Sequence, residues 1–75
     1  MDNLGRTIEV LTYDGFKYSG VLFNVDLTLF CLGISQVKNL RTNFKYDFLI
    51  FKAADIANIF FPDDPAILYK GRVIH

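Results

Sequence analysis

The sequence predicts an all-β fold, a small five-stranded antiparallel sheet that is strongly bent into a barrel. Two alternating apolar runs meet at Asp14-Gly15, which predicts a β-hairpin with a two-residue type I′ turn. The second run is long, from Phe16 to about Asp26, and Gly20 in its middle permits a sharp bend or the close approach of another backbone. A long bent strand after a tight hairpin indicates a small, strongly curved barrel.

Three further strands follow the predicted hairpin. The first of them favours a strand over a helix because it is short and contains Gly33 and the β-branched Thr28 and Ile34. Pro62 ends the last strand, since proline has no N–H group for a ladder. In chain order, the predicted elements are a strand at 27–36 with both faces apolar and covered, a polar loop at 35–45, a strand at 46–52, a short connection at 53–55 and a strand at 56–61.

The composition predicts one domain that associates with other chains. We assign residues 1–75 to a single domain, with a core at 4–61 and a tail at 62–75. A chain of 75 residues buries only about 60% of the surface that its unfolded form exposes, yet 52% of this chain is hydrophobic. Some apolar surface must therefore be covered by another chain or left as a patch, and such patches mark interfaces.

The charge distribution leaves a local basic surface on a neutral protein. The formal net charge is zero, which argues mildly against a protein that grips nucleic acid mainly through phosphates. Residues 27–46, however, contain Lys38, Arg41 and Lys45 and no acidic residue. These three cations form either a local positive patch or an ordinary solvated loop.

The titratable residues do not form a catalytic constellation, so the sequence predicts a protein that is not an enzyme and has no cofactor. Cys31 is the only cysteine, which excludes an intramolecular disulfide, and the only histidine is the last residue, His75. There is no cysteine or histidine cluster for a metal and no phosphate-binding glycine loop. No apolar run reaches the length of a membrane helix, so an intracellular, by default cytoplasmic, protein without membrane contact is expected.

Two segments resemble the motifs of Sm-like (LSm) proteins. The second of them, residues 50–59, has Lys52 where arginine is usual and Ala53 where glycine is usual. The resemblance covers roughly residues 4–61 and implies an SH3-like barrel. The positions that resemble the first motif are Leu4, Gly5, Arg6, Ile8, Val10, Asp14, Gly15, Tyr18, Gly20, Leu22 and Asp26.

The resemblance implies an RNA-binding slot near the pore of a ring. Asp26 would brace a loop, Thr28 and Phe30 would contact a base, and Lys52 would supply the cation. Phe30 stands where the family usually has a base-reading asparagine, which favours stacking over hydrogen-bonded readout. The competing interpretation is that Phe30 is a core residue and Lys52 an ordinary surface charge.

The resemblance also implies a homo-oligomeric ring in which strand 46–52 of one subunit pairs with strand 56–61 of the next. RNA, or single-stranded DNA, would be the partner of such a scaffold or chaperone in RNA processing. The helix that commonly precedes the barrel is almost absent, and the tail is expected to pack on the barrel in its place. Two alternatives stay open: a protein-interaction module like the solitary LSm domains of ataxin-like and decapping-associated proteins, and a structural ring that binds no nucleic acid.

Overall fold

A computed structural model describes residues 4–62, which form one five-stranded antiparallel sheet in the order β4-β3-β2-β1-β5. The predicted all-β, five-stranded fold is confirmed. The prediction that the tail packs on the barrel concerns residues outside this range. The elements are β1 (Thr7–Thr12), β2 (Lys17–Asp26), β3 (Cys31–Asn39), β4 (Lys45–Lys52), a 3₁₀ helix η1 (Ala53–Asp55) and β5 (Ile56–Phe60).

The β1–β2 hairpin forms as predicted, but its turn is of another type. A type I′ turn needs positive φ at both Asp14 and Gly15, whereas only Gly15 has it, at 92°. The N–H of Gly15 donates to the carbonyl of Thr12 at 2.9 Å, and the N–H of Thr12 donates to the carbonyl of Phe16, also at 2.9 Å. This is a three-residue loop, a type I turn followed by a left-handed glycine.

The side chain of Asp14 explains the choice of turn. Its carboxylate accepts hydrogen bonds from the hydroxyl of Thr12 and, at 3.3 Å, from the N–H of Phe16. These bonds lower the pKa of Asp14 below its ordinary value, the Thr12 hydroxyl having the largest effect. Any support that the charged carboxylate gives to the hairpin is therefore present at neutral pH and is lost only as the pH falls through that lowered pKa.

The core lies inside the bend of β2. β1 pairs with the first half of β2, and β3 pairs with β2 along almost its whole length. Gly20 is paired with Ile8 of β1 and lies against β3. A Cβ atom at Gly20 would stand 2.8 Å from the carbonyl oxygen of Ser35, so the predicted close approach is confirmed. The buried hydrophobic residues are Ile8, Val10, Leu22, Ile34, Val37 and Phe51, none more than 9% exposed.

The predicted strand at 27–36 starts too early, because residues 27–30 form a turn between β2 and β3. The expectation that both faces of this run are covered is also wrong. Leu27, Leu29 and Phe30 are 73%, 69% and 68% exposed. Asp26 ends β2, since its side chain binds backbone N–H groups of the turn instead of leaving them for a ladder.

The predicted loop at 35–45 is shorter in the structure, because β3 continues to Asn39 and only residues 40–44 connect it to β4. Gln36 and Lys38 are exposed, whereas Asn39 is 4% exposed and pairs with Tyr18 of β2, so these polar residues belong to a strand and not to a loop. Gln36, with φ of 52°, lies where the β2–β3 register shifts.

Three apolar side chains form an exposed cluster on the outer face of β2, β3 and β4, which we call the outer patch. Phe23, Phe48 and Ile50 are 44%, 61% and 54% exposed. The Phe23 and Phe48 rings meet edge to face at 6.3 Å, and both Phe23 and Ile50 close over Gly33. The outer patch continues to the edge of the sheet, since β4 is an end strand.

We expect Gly20→Ala to lower the free energy of unfolding by about 1–3 kcal/mol, because the new methyl group meets a backbone oxygen that cannot rotate away. Urea denaturation measures the change. Ser19→Ala is the matched control, since Ser19 alternates to the outer face, and we expect a change within about 0.5 kcal/mol. Equal stability of Gly20→Ala and the wild type would show that β2 and β3 can separate without cost.

Candidate nucleic-acid interface

Asp26 organises the β2–β3 turn. One oxygen of its carboxylate, Oδ1, accepts the backbone N–H of Thr28 at 2.9 Å and that of Leu29 at 3.0 Å. Both N–H groups would otherwise be unpaired, because residues 27–30 contribute no ladder bonds. The turn is thus fixed by the last side chain of β2.

Phe30 is the most unusual residue of this turn. Its φ is 53°, in the left-handed region that non-glycine residues seldom occupy, and its side chain is 68% exposed. The carbonyl of Phe30 accepts the N–H of Ala53 at 2.7 Å. The interpretation of Phe30 as a core residue is therefore wrong: the turn presents its ring at the surface and ties it to η1.

The ring of Phe30 borders a surface hollow of about 460 Å³ at the junction of the β2–β3 turn with the end of β4. Lys52 is the cation of this hollow. It is exposed and is the register partner of Cys31, the residue that follows Phe30. The lining residues are Leu29, Phe30, Cys31, Ile50, Lys52, Ala53 and Ala54. We call this hollow the slot.

A second, almost wholly apolar cavity of about 170 Å³ lies behind Phe30, between the β2–β3 turn and β5. Phe30, Cys31 and Ala53 are common to both cavities, so they lie between the slot and the edge of the barrel core. The second cavity is also lined by Val25, Asp26, Leu27, Leu32, Ile56 and Ile59. Phe30 therefore borders both an apolar cavity and the slot that contains Lys52.

Two of the four residues predicted for the slot, Phe30 and Lys52, line it. Asp26 and Thr28 lie in the turn beside it, where the Thr28 N–H donates to Asp26, and neither is among the lining residues. The lining residues that sequence reasoning missed are Leu29, Cys31, Ile50, Ala53 and Ala54. The signal for Ala54 was present, since two adjacent alanines between apolar strands leave room beside the cation.

The basic residues Lys38, Arg41 and Lys45 do not belong to the slot. Lys38 and Lys45 are register partners seven residues along the β3–β4 ladder from Cys31 and Lys52, which corresponds to roughly 20 Å. Arg41 lies in the 40–44 turn beyond them, with its guanidinium 5.4 Å from the centre of the Phe16 ring. The predicted site residues thus occupy two separate surfaces.

Within residues 4–62, no group of three or more His, Cys, Asp or Glu side chains is placed to hold a metal ion. The same part of the chain contains no helix that is long and apolar enough to cross a membrane.

Comparison with solved structures identifies the fold. No family model matches the chain, and no curated protein matches it. A Sm-like archaeal protein from Pyrobaculum aerophilum superimposes with a TM-score of 0.72 and 27% sequence identity over 79% of this chain. This chain spans only 44% of the length of that protein. A heptameric archaeal Sm protein superimposes with a TM-score of 0.69 and 16% identity, covering 79% of this chain and 88% of the other.

The chain has the Sm-like fold. The resemblance inferred from the two sequence motifs is confirmed at the level of the fold. Among the Sm-like structures is a Pyrococcus abyssii Sm protein in complex with a uridine heptamer, with a TM-score of 0.68, 16% identity and coverage of 79% of this chain and 86% of the other. A chain of the NatC complex bound to CoA shows the same fold, with a TM-score of 0.76, 19% identity and coverage of 89% and 87%.

We expect Asp26→Ala to speed hydrogen exchange at the amides of Thr28 and Leu29 by about tenfold, because each amide loses its hydrogen bond to a carboxylate. Exchange followed by NMR at neutral pH measures this. Asp26→Asn is the matched control, since it keeps an oxygen acceptor, and its effect should be smaller. Unchanged exchange in Asp26→Ala would show that the turn of this Sm-like fold does not depend on the Asp26 side chain.

Proposed function

We propose that this protein is a non-catalytic RNA-binding protein of Sm-like fold that self-associates through its free sheet edges and stacks a base on Phe30. The observation that carries the proposal is the exposed Phe30 ring, held out by a left-handed backbone beside Lys52. A flat apolar ring next to a cation fits a nucleotide, whose base stacks while its phosphate pairs with the charge.

The chemistry of the slot favours stacking over selective hydrogen bonding. Its lining consists of apolar side chains and one ammonium group, and a stacking surface accepts any base because every base has a π-face. Preference among bases would therefore be modest. Single-stranded RNA is the suitable ligand, because its bases can splay away from one another and reach an aromatic ring.

Self-association has support in the edges of the sheet. β4 and β5 are the end strands of the order, and each has one side without a neighbour strand among residues 4–62. The outer patch adds exposed apolar surface directly on β4. Pairing β4 of one subunit with β5 of the next covers both edges, and a repeated head-to-tail contact closes into a ring. The heptameric archaeal Sm protein with this fold makes such assembly a reasonable expectation.

A second candidate function is a protein-interaction module without RNA binding. The NatC chain favours it, since this likeness extends over 89% of the present chain with a TM-score of 0.76, and that chain is part of a complex. The outer patch would then bind an apolar segment of another protein. The third candidate is a structural ring that binds neither RNA nor another protein. The experiments below distinguish the three candidates.

We expect Phe30→Leu to weaken binding of a short uridine-rich or adenine-rich RNA by about fivefold or more, because leucine keeps apolar mass but removes the flat ring. Phe30→Tyr keeps the ring and should bind as the wild type does. Fluorescence anisotropy of labelled RNA at low salt measures both.

Lys52→Gln tests the cation in the same assay. It should reduce the slope of log K against log salt by about 0.7 for each phosphate that the lysine neutralises in the wild type. Wild-type affinity and salt slope in both Phe30→Leu and Lys52→Gln would reject the slot as the RNA site.

We expect the wild-type protein in light scattering to have the mass of roughly five to seven subunits of 8.6 kDa. Phe48→Lys should lower this mass, because it places a charge in the apolar outer face of the edge strand that pairing would cover. Leu40→Lys is the matched control: Leu40 is also exposed and apolar but lies in the 40–44 turn, and the mass should not change. A monomeric wild type that ignores RNA would favour the protein-interaction module.

A further inference from the structure

The β3–β4 turn carries a second surface on which cations and aromatic rings meet, and the slot does not use it. Lys38 and Lys45 are directly opposite one another in the ladder, and both are exposed. Like charges in opposite positions of two strands destabilise a sheet. The pair therefore lowers the stability of this part of the ladder.

No described acidic residue neutralises these two lysines. Among residues 4–62, no carboxylate oxygen lies within 4.0 Å of either ammonium group, whereas Lys17 pairs with Glu9 at 3.4 Å. The lysines share a surface hollow of about 460 Å³ with Gln36, Val37, Tyr46 and Asp47. Asp47 is the one carboxylate among the described residues that line it, so these residues give the hollow an excess of positive charge.

The turn itself is rigid enough to present these groups in fixed positions. The side-chain oxygen of Asn39, which is 4% exposed, accepts the N–H of Arg41 at 2.9 Å and that of Thr42 at 3.2 Å. The N–H of Phe44 donates to the hydroxyl of Thr42 at 3.2 Å, and the N–H of Leu40 donates to the carbonyl of Lys17 at 2.8 Å. The short turn therefore has little freedom left to lose on binding.

An exposed aromatic ring lies at the same end of the β3–β4 ladder as the cations, next to Lys45 in the chain. Phe44, at the end of the turn, is 62% exposed and meets the ring of Tyr46 edge to face at 5.4 Å. Arg41 covers the Phe16 ring with its guanidinium at 5.4 Å. This end of the ladder therefore carries an exposed ring and two ammonium groups that no described carboxylate pairs, and these are the two parts of a single-strand binding surface.

We propose that the β3–β4 turn is a second contact surface for single-stranded nucleic acid, in which Lys38 and Lys45 bind a phosphate and Phe44 stacks a base. The inference rests on the proposed RNA binding and extends it, because the turn lies roughly 20 Å from the slot along the β3–β4 ladder. One RNA molecule can then contact a subunit at both surfaces, so its affinity depends on the length of the RNA. An RNA that is too short to span the distance reaches only one of the two surfaces.

The experiment compares matched variants of the full chain in RNA anisotropy titrations at several salt concentrations, with a three-nucleotide and a fifteen-nucleotide uridine RNA. Lys38→Gln/Lys45→Gln should reduce the salt slope for the longer RNA by about 0.7 or more and weaken its binding. Lys17→Gln is the matched control for the single variant Lys45→Gln. It also removes one positive charge, but Lys17 already forms an ion pair with Glu9. We expect a loss of affinity for Lys45→Gln and none for Lys17→Gln.

The aromatic part of the proposal has its own matched pair. Phe44→Ala should weaken binding of the longer RNA by about fivefold or more. Tyr13→Ala removes a ring that is 75% exposed but shares its hollow with Asp14 and Asp55, where phosphates are repelled, and it should have no effect. Circular dichroism melting of each variant separates loss of binding from loss of fold.

The two proposals fail in different ways in this experiment. If the turn variants bind both RNAs as the wild type does while Phe30→Leu binds weakly, the turn proposal is overturned and the slot stands. If the turn variants weaken binding and Phe30→Leu does not, the turn is supported and the slot fails. If the wild type binds neither RNA at low salt, both are overturned.

Discussion

The structure depends on the contact between Gly20 of β2 and the carbonyl of Ser35 on β3. β2 is ten residues long and serves as partner to β1 with one half and to β3 along its whole length. It can do both only if it bends. The bend brings the backbone of β2 at Gly20 so close to β3 that a Cβ atom at this position would clash with the Ser35 carbonyl. The core is enclosed by this bend: Ile8 pairs across Gly20, and Ile34 lies against it from the other side, both fully buried.

The three hairpin turns are closed by the same chemical device. Asp26 and Asn39 are the last residues of β2 and β3, and each accepts the backbone N–H groups two and three residues further on with one side-chain oxygen. Asp14 lies inside the β1–β2 loop and accepts one such N–H, from Phe16 two residues further on. The sheet therefore has short, fixed connections, and the two surfaces that carry exposed aromatic rings beside cations are both built on such turns. Rigid turns of this kind present side chains with little entropy cost at the moment of binding.

The sequence predicted the strands well where side-chain alternation is simple and poorly where the strands bend. Ile8 and Val10 were assigned to one face and are buried together, and the position of Gly20 indicated the bend. The prediction of a covered strand at Leu27 to Phe30 was wrong because it equated apolar content with burial. Asp26 instead holds this segment in a turn, and its apolar side chains are exposed. The β3–β4 loop was predicted too long because Gln36, Lys38 and Asn39 are polar, although the first two are exposed residues of β3 and Asn39 pairs with Tyr18 of β2.

For the candidate site, the resemblance to Sm-like motifs identified Phe30 and Lys52, but spacing alone could not show how they meet. Their proximity follows from the register of Cys31 with Lys52 and from the bond between Ala53 and Phe30, which are long-range features. The sequence assigned Lys38, Arg41 and Lys45 to a basic loop apart from the slot residues, but only the register of β3 with β4 gives the distance between the two groups.

The left-handed backbone of Phe30 has a consequence for what can replace it. An L residue in this region costs roughly 1–2 kcal/mol relative to its preferred conformations, a cost that asparagine and glycine largely avoid. A chain with Asn or Gly in place of Phe30 would therefore keep the turn at a lower conformational cost, and would lose only the exposed ring.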